Sequence, residues 1–525
     1  MWMTSKSLSD AVRREQLANP ALPWLILGVA FVGIVSINPI GFIGGGWDDW
    51  QYLDAARCWR AHGPCLPHNH WQGRWPVIAP IALSTGLLGE SRLSVGLPPL
   101  IASLWCLVLV VFVGNRLFRA PVGFIAAGLL LCTAAFAIQI LDPSVEAIEL
   151  GFGLTGIMAL LQWQRKAGLA WPALSGISFG LAVQVRETAV ILAGLAALYV
   201  VSRHIPFRRR EKILMAVSFA LPFVVEFGTY AKLTGDPLYR RHLSLLHTQI
   251  PSSELLAPID HSHSALFNFN NIANWRRDPG LHLNWAIDGL LNLFINAKAG
   301  LSLLLIPVLI VAYRRSVSSR VVTAALLLYG ASFLYICVLI YVIALDPKPR
   351  LMFFPLTALS LALALLLVRL HDAGRHLIVW VSAGVSVAVC LAILFVHQRV
   401  YPLEGPAAAW IASAPGQVEI EENTRRHLAL VPSAQLLPTM SGKRPILLVK
   451  ADAKCRVWAA SSGLDAELLL LREQPMSRAI LFDKRLTSEL CLFRLLHPLD
   501  KHELLTGVGK ADWYGLEASR FRKLG

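Results

Sequence analysis

The sequence predicts an α-helical polytopic membrane protein with about 11 transmembrane helices, followed by a small extracytoplasmic α/β domain. Three observations predict it. Of 525 residues, 55% are hydrophobic and only 15% are charged, where soluble chains carry about a quarter charged residues. The apolar residues fall in runs close to the roughly 20 residues that a helix needs to cross the hydrocarbon core. After residue 396 the composition shifts to that of an ordinary soluble domain. The formal net charge of +15 does not point to nucleic acid. The basic residues form no single stripe, and no nucleic-acid module is present.

The expected spans are 21–43, 93–114, 121–140, 145–163, 171–185, 188–202, 212–231, 287–312, 321–345, 351–368 and 376–396. The fifth and sixth share one hydrophobic stretch broken by Arg186 and Glu187. It reads either as two crossings or as one long kinked helix. Loop charge arbitrates, because Lys and Arg collect in short cytoplasmic loops. With two crossings and residues 1–20 inside, the cytoplasmic segments carry 17 basic and 4 acidic residues. The outer part of the membrane domain then carries 13 basic and 15 acidic residues, and the tail 18 and 14. The expected organisation is a cytoplasmic N-terminus 1–20, a membrane domain 21–396 with long outer loops 44–92 and 232–286, and an extracytoplasmic domain 397–525. The setting is a cell membrane. The first span reads as an anchor, being too long for a signal h-region and lacking a small-residue cleavage pattern.

Between the spans, segment 76–89 (PVIAPIALSTGLLG) is too short to cross and reads as an amphipathic helix lying in the interface. Segment 252–285 reads as a loop suited to be a lid. In the tail, 445–449 and 479–482 read as strands and 464–472 (LDAELLLLR) as a helix. Cys106, Cys132, Cys337 and Cys390 fall within spans. Cys58 with Cys65, and Cys455 with Cys491, make two outer pairs that an oxidising compartment would allow to bond.

Ionisable groups are costly inside a bilayer, so their placement carries information. Apart from Lys298 in the stretch 287–312, none lies near the midpoint of a span. Those near span ends collect on the outer side: Asp48 and Asp49, Asp142, Glu146 and Glu149, Arg186 and Glu187, Glu226, Lys348 and Arg350. A transporter more often puts such groups at the midplane. Asp48 and Asp49 sit in GGGWDDWQYLDAARCW, where a helix starting near Trp47 puts both in its first turn. One reading is capping, the other a general base that removes a proton from an attacking alcohol. Asp142 precedes a proline and reads either as an N-cap or as an acidic site residue. Glu146 and Glu149, three apart, share a helix face and suit orienting an acceptor or holding a divalent cation. Arg186 and Arg350 are candidate anion partners, because a guanidinium presents a planar fork to phosphate. His68, His70, His261 and His263 are weak metal candidates. No phosphate-binding glycine loop is present, so no nucleotide cofactor is expected. The activated donor must then come from the membrane.

With these residues in view, the chain resembles the GT-C superfamily of polytopic glycosyltransferases. It is most like the phospholipid carrier-dependent enzymes: protein O-mannosyltransferases, lipid A aminoarabinose transferases and rhizobial galacturonosyltransferases. The resemblance spans residues 20–370 and rests on four features in order. They are the acidic pair Asp48–Asp49, LLGESRLSVGLPPLI (87–101), LDPSVEAIELGF (141–152), and TGDPLYR (234–240) with PRLMFFPLTALSLALALL (349–366). HNHWQGRWP (68–76) stands where the family more often has a Lys-Pro-Pro stretch. The resemblance implies inverting transfer of a sugar from a polyprenyl-phosphate donor to a hydroxyl of an envelope glycolipid, lipopolysaccharide or protein acceptor. By position, Asp48 would be the base, Asp49 would replace a frequent Glu, Asp142 would be the second acid, and Arg74 and Arg350 would meet the lipid phosphate. A divalent metal ion accompanies some relatives. The alternative classes are a lipid-linked glycan carrier or flippase, and a non-catalytic assembly subunit.

Overall fold

The computed structural model describes residues 21–37, 47–165, 168–202, 207–246, 290–342 (except 292, 295 and 316) and 348–397, and four strands between 419 and 495. The helices are α1 (Leu22–Ile37), α2 (Trp47–His62), α3 (Trp75–Leu88), α4 (Arg92–Leu117), α5 (Ala120–Leu131) and α6 (Ala134–Ile138). They continue with α7 (Glu146–Trp163), α8 (Ala170–Val185), α9 (Val190–Val201), α10 (Arg209–Thr234) and α11 (Tyr239–Leu246). The last four are α12 (Ser302–Tyr313), α13 (Ser319–Cys337), α14 (Phe353–Asp372) and α15 (His376–His397). Among the described residues, five helical segments are long and apolar enough to cross a membrane: Arg92–Leu117, Arg209–Thr234, Ser319–Val342, Pro349–Asp372 and His376–Phe395.

α14 is the centre of the bundle. Its run LALALLLV has no polar face, and a helix that is apolar all round belongs in a core. Leu356, Leu359, Leu363 and Leu370 are all buried, against α5, α12 and α13. α10 has the opposite character. Val217, Leu221, Val224 and Val225 are exposed, as suits a face turned to lipid, and the buried Glu226 lies on its other side.

The break at Arg186 reverses the chain. α8 ends at Val185, a 3₁₀ turn covers Glu187–Ala189, and α9 follows. Thr188 Oγ1 donates to Glu149 Oε1 (3.1 Å) in the first turn of α7. Gln164 Nε2, just past the far end of α7, donates to Tyr199 OH near the end of α9. α9 therefore runs alongside α7 in the same direction, and α8 runs the other way. α8 and α10 are drawn together by small residues at helical spacing. A methyl group at Gly176 would strike the Met215 carbonyl oxygen, and one at Gly180 the Phe219 carbonyl oxygen.

Four expectations require correction. Residues 287–312 are not one helix: a 3₁₀ turn at Ala297–Ala299 and Gly300, whose φ of 75° favours glycine, precede α12. α3 is not amphipathic. It buries Val77, Ile78 and Ile81 on one side and exposes Leu83, Leu87 and Leu88 on the other, so both faces are apolar. Asp142 does not cap α7, whose N-cap is Val145 with no side-chain bond. Residues 464–472 are not helical, because Ala466–Pro475 forms a strand. Their Ala, Glu, Leu and Arg favour a helix locally, but pairing along a neighbouring strand supplies the backbone bonds instead.

The four strands are β1 (Glu419–Ile420), β2 (Pro445–Ala451), β3 (Ala466–Pro475) and β4 (Thr487–Leu495). Their order is β1-β2-β4-β3. β1 pairs parallel to β2, and β4 pairs antiparallel to β2 and β3. The expected strand 445–449 lies within β2. Residues 479–482, Cys455 and segment 252–285 lie outside the described residues. Cys58 and Cys65 form a disulfide, with Cα atoms 6.0 Å apart.

Candidate active site

The site is assembled where α2, α3, the start of α7 and the end of α8 come together. An apolar cluster seats the α2–α3 pair on the bundle: Tyr52, Leu53 and Ala56 from α2, Ile78 and Ile81 from α3, Val145 and Ile148 at the start of α7, and Val185 at the end of α8. This cluster is dry, so the polar groups around it must satisfy one another. α2 begins at Trp47, which puts Asp48 and Asp49 in its first turn. Tyr52 lies one turn on from Asp48, on the same helix face. Arg74 Nη1 donates to Tyr52 OH (2.7 Å), tying the α2–α3 loop to that face.

Glu146 and Glu149 open α7 and are 3% and 4% exposed. Their shared face meets Arg186, itself 7% exposed. Arg186 Nη1 lies 3.9 Å from Glu146 Oε1 and 3.8 Å from Glu149 Oε2. Those separations give attraction without a hydrogen bond, and Nη1 has no hydrogen-bond partner among the described residues. Arg74 lies within electrostatic range of Glu149. Tyr335, from α13, closes the back of this group through Thr188 (3.4 Å to its carbonyl oxygen).

A second buried guanidinium stands beside the first. Arg240, in α11, donates to the Gln184 side chain, to the Gln184 carbonyl (2.7 Å), to Glu226 (3.0 Å) and to Glu187 (3.2 Å). Its stem packs on Gly73, where a methyl group would approach to 3.2 Å. Nearby, Tyr239 OH donates to the Pro67 carbonyl (3.2 Å). Burial, then the Asp236 carboxylate, pushes this phenol above its ordinary range and keeps it a donor. Arg240 thereby joins α8, α10, α11 and the loop that carries Arg74.

The sequence-derived candidates divide accordingly. Glu146, Glu149, Arg186 and Arg74 come together. Arg350 sits in the 3₁₀ turn Pro349–Met352 that leads into α14. Asp142 is half-buried in the turn before α7, its backbone N–H donating to Gln139 O (3.3 Å). His70 is buried against Trp71, the rings tilted with centroids 3.7 Å apart. His261 and His263 lie outside the described residues. Among the described residues no three His, Cys, Asp or Glu side chains gather as a metal site requires. Glu146 and Glu149 face the Arg186 guanidinium. Sequence reading passed over Tyr52, Gln184 and Arg240. The first carried a signal, being four residues from Asp48. Arg240 ends TGDPLYR, but nothing in the sequence joins it to Gln184.

Fold and site together describe a class: an apolar helical bundle with a cluster of buried guanidinium and carboxylate groups at one end. The family described as dolichyl-phosphate-mannose-protein mannosyltransferase matches residues 76–228. Over those residues the resemblance to carrier-dependent glycosyltransferases is borne out. Comparison with curated proteins gives no match. Among solved structures, the chain is similar to the apo oligosaccharyltransferase of Archaeoglobus fulgidus. The TM-score is 0.43 at 15% identity, over 81% of this chain and 62% of that one. The archaeal AglB from that organism, with an inhibitory peptide and a dolichol-phosphate, gives 0.44 at 14% identity, over 80% and 61%. ArnT from Cupriavidus metallidurans bound to undecaprenyl phosphate gives 0.36 at 12% identity, over 90% and 97%. The chain thus spans less than two thirds of the oligosaccharyltransferase.

Proposed function

We propose that the protein is a membrane glycosyltransferase. It moves a sugar from a polyprenyl-phosphate donor to a hydroxyl of an envelope glycolipid, lipopolysaccharide or protein acceptor, with inversion. The observation that carries the reading is the buried Arg186 guanidinium. It has an unfilled donor among the described residues, it sits between two carboxylates, and the apolar cluster that seats α2 includes Val185 next to it. A dry guanidinium with a free N–H suits a phosphate oxygen far better than it suits water.

In the reaction, Asp48 takes the proton of the acceptor hydroxyl as its oxygen attacks the anomeric carbon. The new carbon–oxygen bond forms as the bond to the lipid phosphate breaks on the opposite face. Arg186, with Arg74 and Arg350, holds the departing phosphate and offsets its growing negative charge. Glu146 and Glu149 hold Arg186 in place. Asp142, with Asp49 beside Asp48, orients the acceptor.

The outer face is where this chemistry runs. Cys58–Cys65 is a disulfide, which suits an oxidising compartment. At the opposite end of α7, Arg116 reaches Gln162 (3.5 Å) and Arg119 pairs with Asp372, which suits the basic cytoplasmic side. Residues 1–20 are then cytoplasmic, 21–396 form the membrane domain, and 397–525 form an extracytoplasmic α/β domain of a cell-membrane protein.

The test is transfer by the purified full chain from a polyprenyl-phosphate sugar to extracted envelope glycolipid. Asp48→Asn should cut turnover by at least about 100-fold, the scale of lost general-base catalysis, and Asp142→Asn by about 100-fold, the scale of a misplaced acceptor, while the protein still folds. Full activity in both variants would sink the assigned roles.

A further inference from the structure

A cavity of 410 Å³ lies against α2, outside the charged cluster. Its wall holds Asp54, Arg57, Trp59, His62, His68 and Gln72, and the Cys58–Cys65 disulfide closes one side. The volume is that of a small-molecule site. The lining is unusual for a gap between helices. It combines an indole, partly packed on the apolar cluster, with carboxylate, amide, imidazole and guanidinium groups, which together donate and accept many hydrogen bonds.

The polar wall is held in position by its own bonds. Gln72 Nε2 donates to Asp54 Oδ2 (3.1 Å) and to Gln51 Oε1 (3.3 Å), and Gln72 Oε1 accepts from the His68 backbone N–H (2.9 Å). Asn69 donates to the same Gln51 oxygen (2.7 Å). The disulfide fixes the turn at Gly63, whose φ is +76°, and so fixes the spacing between α2 and the loop bearing His68. The cavity lies along the same helix that carries the proposed base. Ala55, in its wall, is seven residues from Asp48, on nearly the same helix face and about 10 Å along the axis.

From this we infer that the cavity is a subsite for one sugar ring of the acceptor glycan, adjoining the ring whose hydroxyl is glycosylated. The Trp59 ring takes the apolar face of the pyranose, and Asp54, His68 and Gln72 read its hydroxyls. The inference rests on the transferase reading, but it has a readout of its own.

Saturation-transfer NMR on the full chain in detergent, with a panel of methyl glycosides of neutral hexoses and hexuronic acids, provides that readout. At least one glycoside should receive saturation from the wild type. Trp59→Ala should weaken the effect at least tenfold, as should His68→Ala, which replaces an exposed loop residue and keeps the test open if the indole is needed for folding. Asp48→Asn should retain it. In transfer assays both cavity variants should raise the acceptor KM at least tenfold and leave the donor KM unchanged. If no glycoside binds the wild type while Asp48→Asn still abolishes transfer, the subsite is wrong and the enzyme stands. Binding with no transfer by any preparation sinks the enzyme and leaves a sugar-binding cavity.

Discussion

Arg186 and Arg240 lie side by side at the same end of the bundle, equally buried, and are held in contrasting ways. Arg240 is saturated, with bonds of 2.7–3.2 Å to Gln184, Glu226 and Glu187. Arg186 is slack, with two carboxylates at 3.8–3.9 Å and one unfilled donor. A guanidinium whose Nη1 and Nη2 each make two hydrogen bonds is a structural tie. A slack one between charges retains capacity for another oxygen. The difference separates what holds the site from what the site does, which counting charges at span ends does not.

Three experiments would break or sharpen this contrast. The largest effect is expected at Arg240. Arg240→Met leaves Glu226 buried without a partner, which costs about 3–5 kcal/mol. The fraction of protein surviving a heat step before size-exclusion chromatography should fall sharply. Adding Glu226→Gln should restore part of it. Unchanged thermal survival in the single variant would show that Arg240 is not a tie. Next comes Arg186→Gln, expected to lower turnover about 100-fold, the scale of one lost charge-stabilising donor, with thermal survival changed less than by Arg240→Met. A variant that transferred at the wild-type rate would make Arg186 merely structural. The smallest effect is at Gly176→Ala, which forces α8 off α10 and costs about 1–3 kcal/mol by overpacking. Its loss should appear first as a weakened Arg240 clamp, read as reduced thermal survival with little change in donor KM.

Part of this arrangement is legible without coordinates. The break at Arg186–Glu187 is readable because two charges interrupt an apolar run, and the loop charges then require the chain to turn back. Glu146 and Glu149 are readable as a shared face from their spacing alone. The break before α12 is not readable. Residues 287–312 are apolar enough, despite Asp288 and Lys298, to suggest a helix, and the 3₁₀ turn Ala297–Ala299 with Gly300 interrupts it. Nor is β3 readable, since its residues favour a helix until β4 supplies a ladder. The apolar outer side of α3 is not readable either, because proline and glycine interrupt its pattern.

By itself, the sequence determined that the chain inserts in a membrane, which end carries the acids, and where α8 turns into α9. These follow from one-dimensional quantities: run length, loop charge and helical spacing. Only the tertiary structure decided which acid faces which arginine, because Gln184, Glu226 and Arg240 are brought together from separate segments. It alone distinguished the arginine that is spent on structure from the one that keeps a donor. Hydrogen-bond saturation is a matter of tenths of an ångström across helix packing, and the order of residues along a chain does not encode it.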